Sequence, residues 1–277
     1  MGLHRKLERL DVPEGADTPL SFAASRRDTE TLGMVRRALQ HSETMLAYQP
    51  VMNVEAADGI AFYEGFIRIL DPTGRIIPAR DFMPRVEDDE IGREIDCASL
   101  SMGLRALSRH DGLRLSINMS ARSIGYKKWN RILKRNLDRQ PRIGERLMLE
   151  ISEKSAMSMP EIVSDFMSRL HPHGIAFALD DFGGGHVAPR YFRQFQFDAI
   201  KIDGQFVRGV DRDADNQALV RGLIGFAREF DMVTIAESVE TQAEAVFLAE
   251  SGVECLQGYL FGAPTVRPPW QHKTAGT

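Results

Sequence analysis

Short apolar runs recur along this chain, separated by longer stretches whose apolar residues repeat at helical spacing. Runs at 113–118, 146–150, 175–181, 199–203, 233–237 and 255–259 read as strands, since each is brief and bounded by turn or helix signals. Two earlier candidates, 48–53 and 60–69, bring the count to about eight strands. The helices between them have legible ends. Ser158-Met159-Pro160-Glu161 offers a capping box with proline in the first turn, and Gly174 closes that segment. Thr241-Gln242-Ala243-Glu244 is a second capping box, with Gly252 as its stop. Leu219, Val220, Leu223, Ile224, Phe226, Ala227 and Phe230 mark an amphipathic helix whose apolar face belongs to the core. Strand–helix alternation predicts an α/β fold with a largely parallel sheet and helical crossovers. About eight strands fit a single closed (β/α)8 TIM-like barrel better than an open sheet.

The pattern runs from about Thr29 to the end without a second composition shift, so 29–277 is expected to be one barrel domain. Residues 1–28 are polar and interrupted by Pro13, Gly15 and Pro19, which reads as a flexible lead-in. The length of 277 residues suits such a barrel, and 43% hydrophobic with 27% charged residues excludes a disordered or fibrous chain. A net charge of −4, from 35 basic and 39 acidic side chains, supplies no general field for DNA or RNA, so any anionic ligand needs a local site. Cys97 and Cys255 are too few and too far apart for a disulfide framework or a cysteine zinc site. No apolar run approaches the roughly 18 residues of a membrane span, and the basic start has no apolar segment behind it. A cytoplasmic protein without membrane contact is the expectation.

Nearly every strand candidate finishes in a polar or charged side chain. Asn118, Glu150, Asp180 with Asp181, Lys201 with Asp203, Glu237 and Gln257 lie toward C-terminal strand ends, and Glu64 sits within the second early run. A parallel barrel gathers those ends on one face, where such folds place their active sites. Carboxylates at that density raise one another's pKa or require a cation. All-oxygen donors suit a hard ion, Mg²⁺ or Mn²⁺, rather than zinc. Adjacent Asp180 and Asp181 suit two ions if one carboxylate bridges, and such a pair would clamp a phosphate.

These residues also carry a resemblance. From about residue 30 to 265 the chain resembles the EAL-domain phosphodiesterases. The matches, in order, are Tyr48-Gln49-Pro50-Val51, Glu64-Gly65-Phe66-Ile67-Arg68, Ser116-Ile117-Asn118-Met119-Ser120 and Leu149-Glu150-Ile151-Ser152-Glu153. Then come Leu179-Asp180-Asp181-Phe182-Gly183, Ile200-Lys201-Ile202-Asp203, Ala236-Glu237-Ser238-Val239-Glu240 and Gln257-Gly258-Tyr259-Leu260-Phe261-Gly262. The resemblance implies a barrel of the EAL type and metal-dependent hydrolysis of cyclic di-GMP, a bacterial second messenger, to linear pGpG. It implies that Glu64, Asn118, Glu150 and Asp180 hold one Mg²⁺ or Mn²⁺ ion, and that Asp181 and Glu237, with Asp180 bridging, hold a second. Lys201 would hold or help deprotonate the attacking water, supported by Asp203. Glu153 would brace the loop after Asp181, and Glu240 would be an outer carboxylate. Gln49, Arg68 and Gln257 would contact or orient the substrate. A homodimer is implied as well.

Two departures stand out. Gly65-Phe66 replaces the usual Ala-Leu, which loosens the strand slightly and offers Phe66 as a ring to stack on a guanine. Gly183-Gly184-Gly185-His186-Val187-Ala188-Pro189 replaces Gly-Thr-Gly-Tyr-Ser-Ser-Leu, which adds freedom to the loop; His186 could approach a phosphate. Neither removes a ligand. A non-catalytic cyclic di-GMP receptor is the alternative function, and an unrelated Mg²⁺-dependent barrel enzyme is a third. Turnover separates the first two, and failure to bind the dinucleotide would favour the third. His171 and His173 read as turn residues. The basic stretch Lys127, Lys128, Arg131, Lys134 and Arg135 reads as the solvated face of a helix.

Overall fold

The computed structural model describes residues 19–56, 59–87, 89–185 and 189–272, and the loop histidine His186 lies outside them. The first helix, α1, spans Pro19–Gln40. It begins about ten residues before the helix expected at Thr29, within the stretch expected to be a flexible lead-in. Pro19 opens the helix instead of interrupting it, because a first-turn residue has no intrahelical bond for its missing N–H to break. Residues 1–18 of that lead-in lie outside the described residues.

The chain continues through β1 (Thr44–Asn53), β2 (Ile60–Leu70), β3 (Ile76–Pro78), α2 (Met83–Val86), α3 (Glu90–Arg109) and β4 (Leu115–Asn118). Next come α4 (Lys127–Arg139), β5 (Leu147–Ser152), α5 (Glu153–Ser158), α6 (Pro160–Leu170), β6 (Ala176–Phe182) and β7 (Ala199–Ile202). The last elements are α7 (Gly204–Val207), α8 (Ala214–Glu229), β8 (Val233–Ala236), α9 (Gln242–Glu250) and β9 (Cys255–Gln257). The capping box read at Thr241 and Glu244 is present at the start of α9.

Eight of these strands close on themselves. The order runs β1-β9-β8-β7-β6-β5-β4-β2, a β1–β2 pairing completes the barrel, and β3 extends the β2 edge. The strands from β2 through β9 around the barrel pair in parallel. β1 runs against both its neighbours. The physical reason is the short link between β1 and β2: a hairpin returns the chain antiparallel, whereas a parallel pair needs a crossover of a dozen or more residues.

Outside the barrel, helices bury an apolar layer against the strands. Leu100, Leu104 and Leu107 of α3 share one cluster with Leu115 and Ile117 of β4. On α4, Trp129 is buried while Lys127, Lys128, Arg131, Lys134 and Arg135 face solvent. The aromatic residue in that basic stretch is therefore core. Among the described residues no helix is long and apolar enough to cross a membrane.

Candidate functional site

Strand periodicity builds the site in two storeys. Val51, Ala178, Ala199, Ile235 and Cys255 form a small apolar cluster, with Phe62 and Met148 packed against it. Side chains two residues apart share a strand face. Two positions beyond this layer therefore stand Glu64, Glu150, Asp180, Lys201, Glu237 and Gln257, each nearer the C-terminal mouth. Antiparallel β1 contributes in the reverse sense, with Gln49 two residues before Val51 and opposite Glu64 in register. Asn118 joins from β4, opposite Glu150. Between β8 and β9, Gly258 lets the chain leaving β9 pass beneath the segment after Glu237. A Cβ there would fall 2.0 Å from the Val239 carbonyl oxygen, a distance no side chain permits.

Lys201 is the hub. Its Nζ lies 2.9 Å from Glu64 Oε2, 2.7 Å from Glu150 Oε2, 3.4 Å from Asp180 Oδ1 and 2.6 Å from Glu237 Oε1. Only 1% of its surface is exposed, so the ammonium has exchanged water for carboxylates. Burial pushes its pKa down, but Asp180, Glu150, Glu237 and Glu64 together raise it well above the ordinary lysine value. Glu64 receives three donors: Asn118 Nδ2 at 2.6 Å to Oε1, and Gln257 Nε2 at 2.7 Å and Lys201 Nζ at 2.9 Å to Oε2. Burial alone would raise its pKa; Lys201 and these hydrogen bonds bring it below the usual value.

The other acids are held the opposite way. Burial, then the Glu64 charge, pushes Glu150 well up despite Lys201. Burial raises Asp180, with Lys201 opposing and Glu64 adding to the rise. Glu237 reaches about 8, again chiefly through burial. Asp181 reaches about 6 through burial and then the charges of Asp180 and Asp203. One cation therefore serves more carboxylates than it can neutralise. Glu150 Oε1 is buried and has no hydrogen-bond donor. Asp180, Asp181 and Glu237 each bring a carboxylate oxygen within 4.8 Å of the others. An orphaned buried oxygen, surplus negative charge and an all-oxygen donor set fit a hard divalent cation.

Around this ring the remaining predicted residues take distinct places. Asp181 follows with φ of 55°, a left-handed turn that tips its carboxylate out beside Asp180. Buried Glu153 holds the loop beyond: its Oε2 accepts from the Gly183 and Gly184 amides, both at 3.0 Å. Glu153→Ala strands both N–H groups, and a loss of about 2–3 kcal/mol in unfolding free energy is expected by urea titration. A change under about 0.5 kcal/mol would show that the loop does not depend on it. Asp203 lies outside the Lys201 network. It caps α7, accepting from the Gln205 amide at 2.8 Å, and acts on the ring only through its charge near Asp181. Glu240 is exposed at the cleft rim. Gln49 is buried, with Nε2 donating to the Gly262 carbonyl at 2.9 Å and Oε1 accepting from Gln257 Nε2 at 3.2 Å. Gln49 and Gln257 thus brace Glu64.

Above the ring opens a cleft of about 960 Å³, with Glu64, Asn118, Asp180, Asp181 and Glu237 in its walls. Phe66 and Arg68 line it too, the guanidinium carbon 5.6 Å from the ring centroid. Gly65 is matched to its neighbour, since a Cβ there would meet Ile117 Cδ1 at 2.8 Å. Asp96, which the sequence reading missed, also lines the cleft. Its Oδ2 accepts from the Ser120 amide at 3.0 Å and the Ser123 hydroxyl at 2.6 Å, and burial raises its pKa to about 7. The signal was present: Gly92, Asp96, Ser99 and Gly103 fall at helical spacing on the buried face of α3. His171 has a structural partner, with Nε2 3.0 Å from Asp198 Oδ2, and exposed His173 lies apart from the cleft.

The EAL domain family matches residues 33–264, which include every member of this ring. The chain belongs to the EAL domain family. A probable cyclic di-GMP phosphodiesterase, PdeA of Escherichia coli K12, is 30% identical over 237 residues, covering 84% of this chain and 32% of its own length. The chain spans about a third or less of PdeA and of two other curated relatives it matches. The FimX EAL domain from Pseudomonas aeruginosa, solved bound to c-di-GMP, superposes with a TM-score of 0.78 at 24% identity, covering 86% of this chain and 97% of that one. The PaMucR phosphodiesterase, solved as its c-di-GMP complex, gives 0.74 at 26% identity, covering 88% and 99%. The EAL barrel expected from the motifs is thus the fold of this chain.

Proposed function

We propose that this EAL domain is a metal-dependent phosphodiesterase that hydrolyses cyclic di-GMP to linear pGpG. The observation that carries the reading is the ring of four carboxylates around buried Lys201 at the floor of the cleft. The names of its relatives point to the substrate. Glu64, Asn118, Glu150 and Asp180 would hold one Mg²⁺ or Mn²⁺ ion, and Asp180, Asp181 and Glu237 a second. Bound there, the ions would lower the pKa of a water and stabilise the oxygen that leaves phosphorus.

The residues define the rest. Hydrolysis forms one P–O bond to water and breaks the P–O bond to a ribose oxygen, which leaves with a proton. With its carboxylate partners turned to bound metal, Lys201 would have an N–H free to orient the water. While the carboxylate charge is uncompensated, Lys201 stays protonated and cannot act as a base. Gln49 and Gln257 orient Glu64, Glu153 fixes the loop after Asp181, and Arg68 suits a phosphate oxygen. Phe66 offers its ring to a guanine, and Asp96 can accept from a guanine N–H edge. The Phe66–Arg68 pair also fits the second reading, a receptor that binds without turnover.

The test is incubation with cyclic di-GMP and Mg²⁺ or Mn²⁺, with product followed by chromatography. Release of pGpG that chelator abolishes and added metal restores is the expected result. Calorimetric binding without product would establish the receptor instead. Metal should also stabilise the fold, more so at high pH. Glu237 and Asp181 have folded pKa values above their ordinary ones, so they are protonated in the metal-free fold at low pH. As pH rises from about 4 through these values, towards about 8 for Glu237, they ionise against one another and metal-free stability falls. Saturating metal should raise Tm by roughly 5 °C at pH 8 and by less at pH 6. Equal shifts at both pH values would contradict the titration.

A further inference from the structure

Beside Arg68, and apart from Arg208 elsewhere in the wall, the cleft carries a further cation, Arg80, that neither the motifs nor the ring accounts for. Arg80 lies in the single 3-10 turn Ala79–Asp81 that follows β3. β3 pairs with β2 so that Pro78 is opposite Arg68, which sets Arg80 beside Arg68. Arg80 Nη1 reaches the Tyr259 hydroxyl at 3.5 Å, from the far side of the barrel seam. Arg68, Arg80 and Tyr259 all line the same cleft as the carboxylates. The acid paired with Arg80 is exposed Asp81, 3.7 Å away, and 76% of the Arg80 side chain faces solvent.

We propose that Arg80 binds substrate: together with Arg68 it receives the phosphate of the cyclic dinucleotide that is not being cleaved. The inference rests on the cyclic di-GMP reading and extends it. The substrate carries two phosphodiesters. The acidic floor can take one only with metal, and its carboxylates repel the other. That second phosphate therefore needs cations at the rim, where a guanidinium from β2 and one from the turn after β3 converge. Two such groups side by side repel: burial first, and then the Arg80 charge, disfavours the charged form of Arg68. An anion between them relieves that repulsion, and the planar fork of arginine matches phosphate oxygens in pairs.

The experiment compares Arg80→Ala, Arg80→Lys, Tyr259→Phe and, as a charge-loss control on the outer face of α4, Arg139→Ala. Arg80→Ala should raise KM for cyclic di-GMP on the order of 10- to 100-fold with kcat nearly unchanged. Its preference for cyclic di-GMP over bis(p-nitrophenyl) phosphate, a diester with one phosphate, should fall by a similar factor. Arg80→Lys should lie between, and Arg139→Ala should match wild type. If the protein binds without turnover, the calorimetric Kd replaces KM with the same expected factor. An unchanged KM or Kd in Arg80→Ala, or an equal loss in Tyr259→Phe, overturns the role of Arg80. Wild-type protein that does not bind cyclic di-GMP at all overturns the substrate reading beneath it.

Discussion

Replacing Glu64 with Gln is expected to cut cyclic di-GMP turnover on the order of 1,000-fold, about 4 kcal/mol of transition-state stabilisation. The effect follows from what surrounds the carboxylate. Asn118 Nδ2 faces one oxygen, while Gln257 Nε2 and Lys201 Nζ face the other. All three are donors. A glutamine has the same shape, but its NH₂ meets donors on the Lys201 side, or else faces Asn118, whose amide must then flip to accept it. The substitution also removes one full negative charge from a set proposed to bind metal. Folding should survive, because Lys201 keeps Glu150, Asp180 and Glu237. The measurement is kcat at saturating metal, with circular dichroism as the folding control. Turnover within about tenfold of wild type would remove Glu64 from the catalytic machinery.

That one residue shows what the sequence made legible and what it did not. Glu64 could be picked out because a charge inside an apolar strand is costly without partners. The same logic found Glu150, Asp180, Lys201 and Glu237, since barrel closure brings C-terminal strand ends together. Closure itself could not be read from periodicity, because the β1–β2 pairing joins two strands whose runs look like any others. The antiparallel sense of β1 was likewise silent. It sets Gln49 opposite Glu64 in register, where it lines the cleft and braces Glu64 through Gln257. The placement of Asp203 was not legible for a different reason. Two residues past Lys201 it belongs to the inward face only if the strand continues, but the strand ends at Ile202 and its carboxylate caps a helix instead. Arg80 and Tyr259 were hidden because they meet across 179 residues of chain. Asp96 was hidden because one acid on a helix is usually solvated, and only its place on the buried stripe marks it.

Lys201→Met should have the other large effect, and its dependence on pH tests the electrostatic account of the ring. The substitution keeps an unbranched side chain but removes the ammonium within 3.4 Å of four carboxylates. Breaking a buried ion pair from one side costs about 3–5 kcal/mol, because the remaining charge is left without a partner. At pH 8 with chelator, the unfolding free energy should fall by that amount. At pH 5 the loss should shrink. Glu150, Asp180 and Glu237 have raised folded pKa values even with Lys201 present, and without it they rise further. A raised carboxyl pKa favours the folded state while the group is protonated there, and that advantage is lost as pH rises through the folded pKa. Toward pH 5 Glu150, Asp180 and Glu237 take up protons, so less negative charge is left for the lysine to compensate. Added Mg²⁺ at pH 8 should also recover part of the stability, since a cation replaces the missing one. Turnover should stay low throughout, by on the order of 1,000-fold, because nothing then donates to the attacking water. Urea titrations at the two pH values, with and without metal, give the answer. Equal destabilisation at pH 5 and pH 8 would mean that Lys201 acts by packing, and that the carboxylates do not depend on its charge.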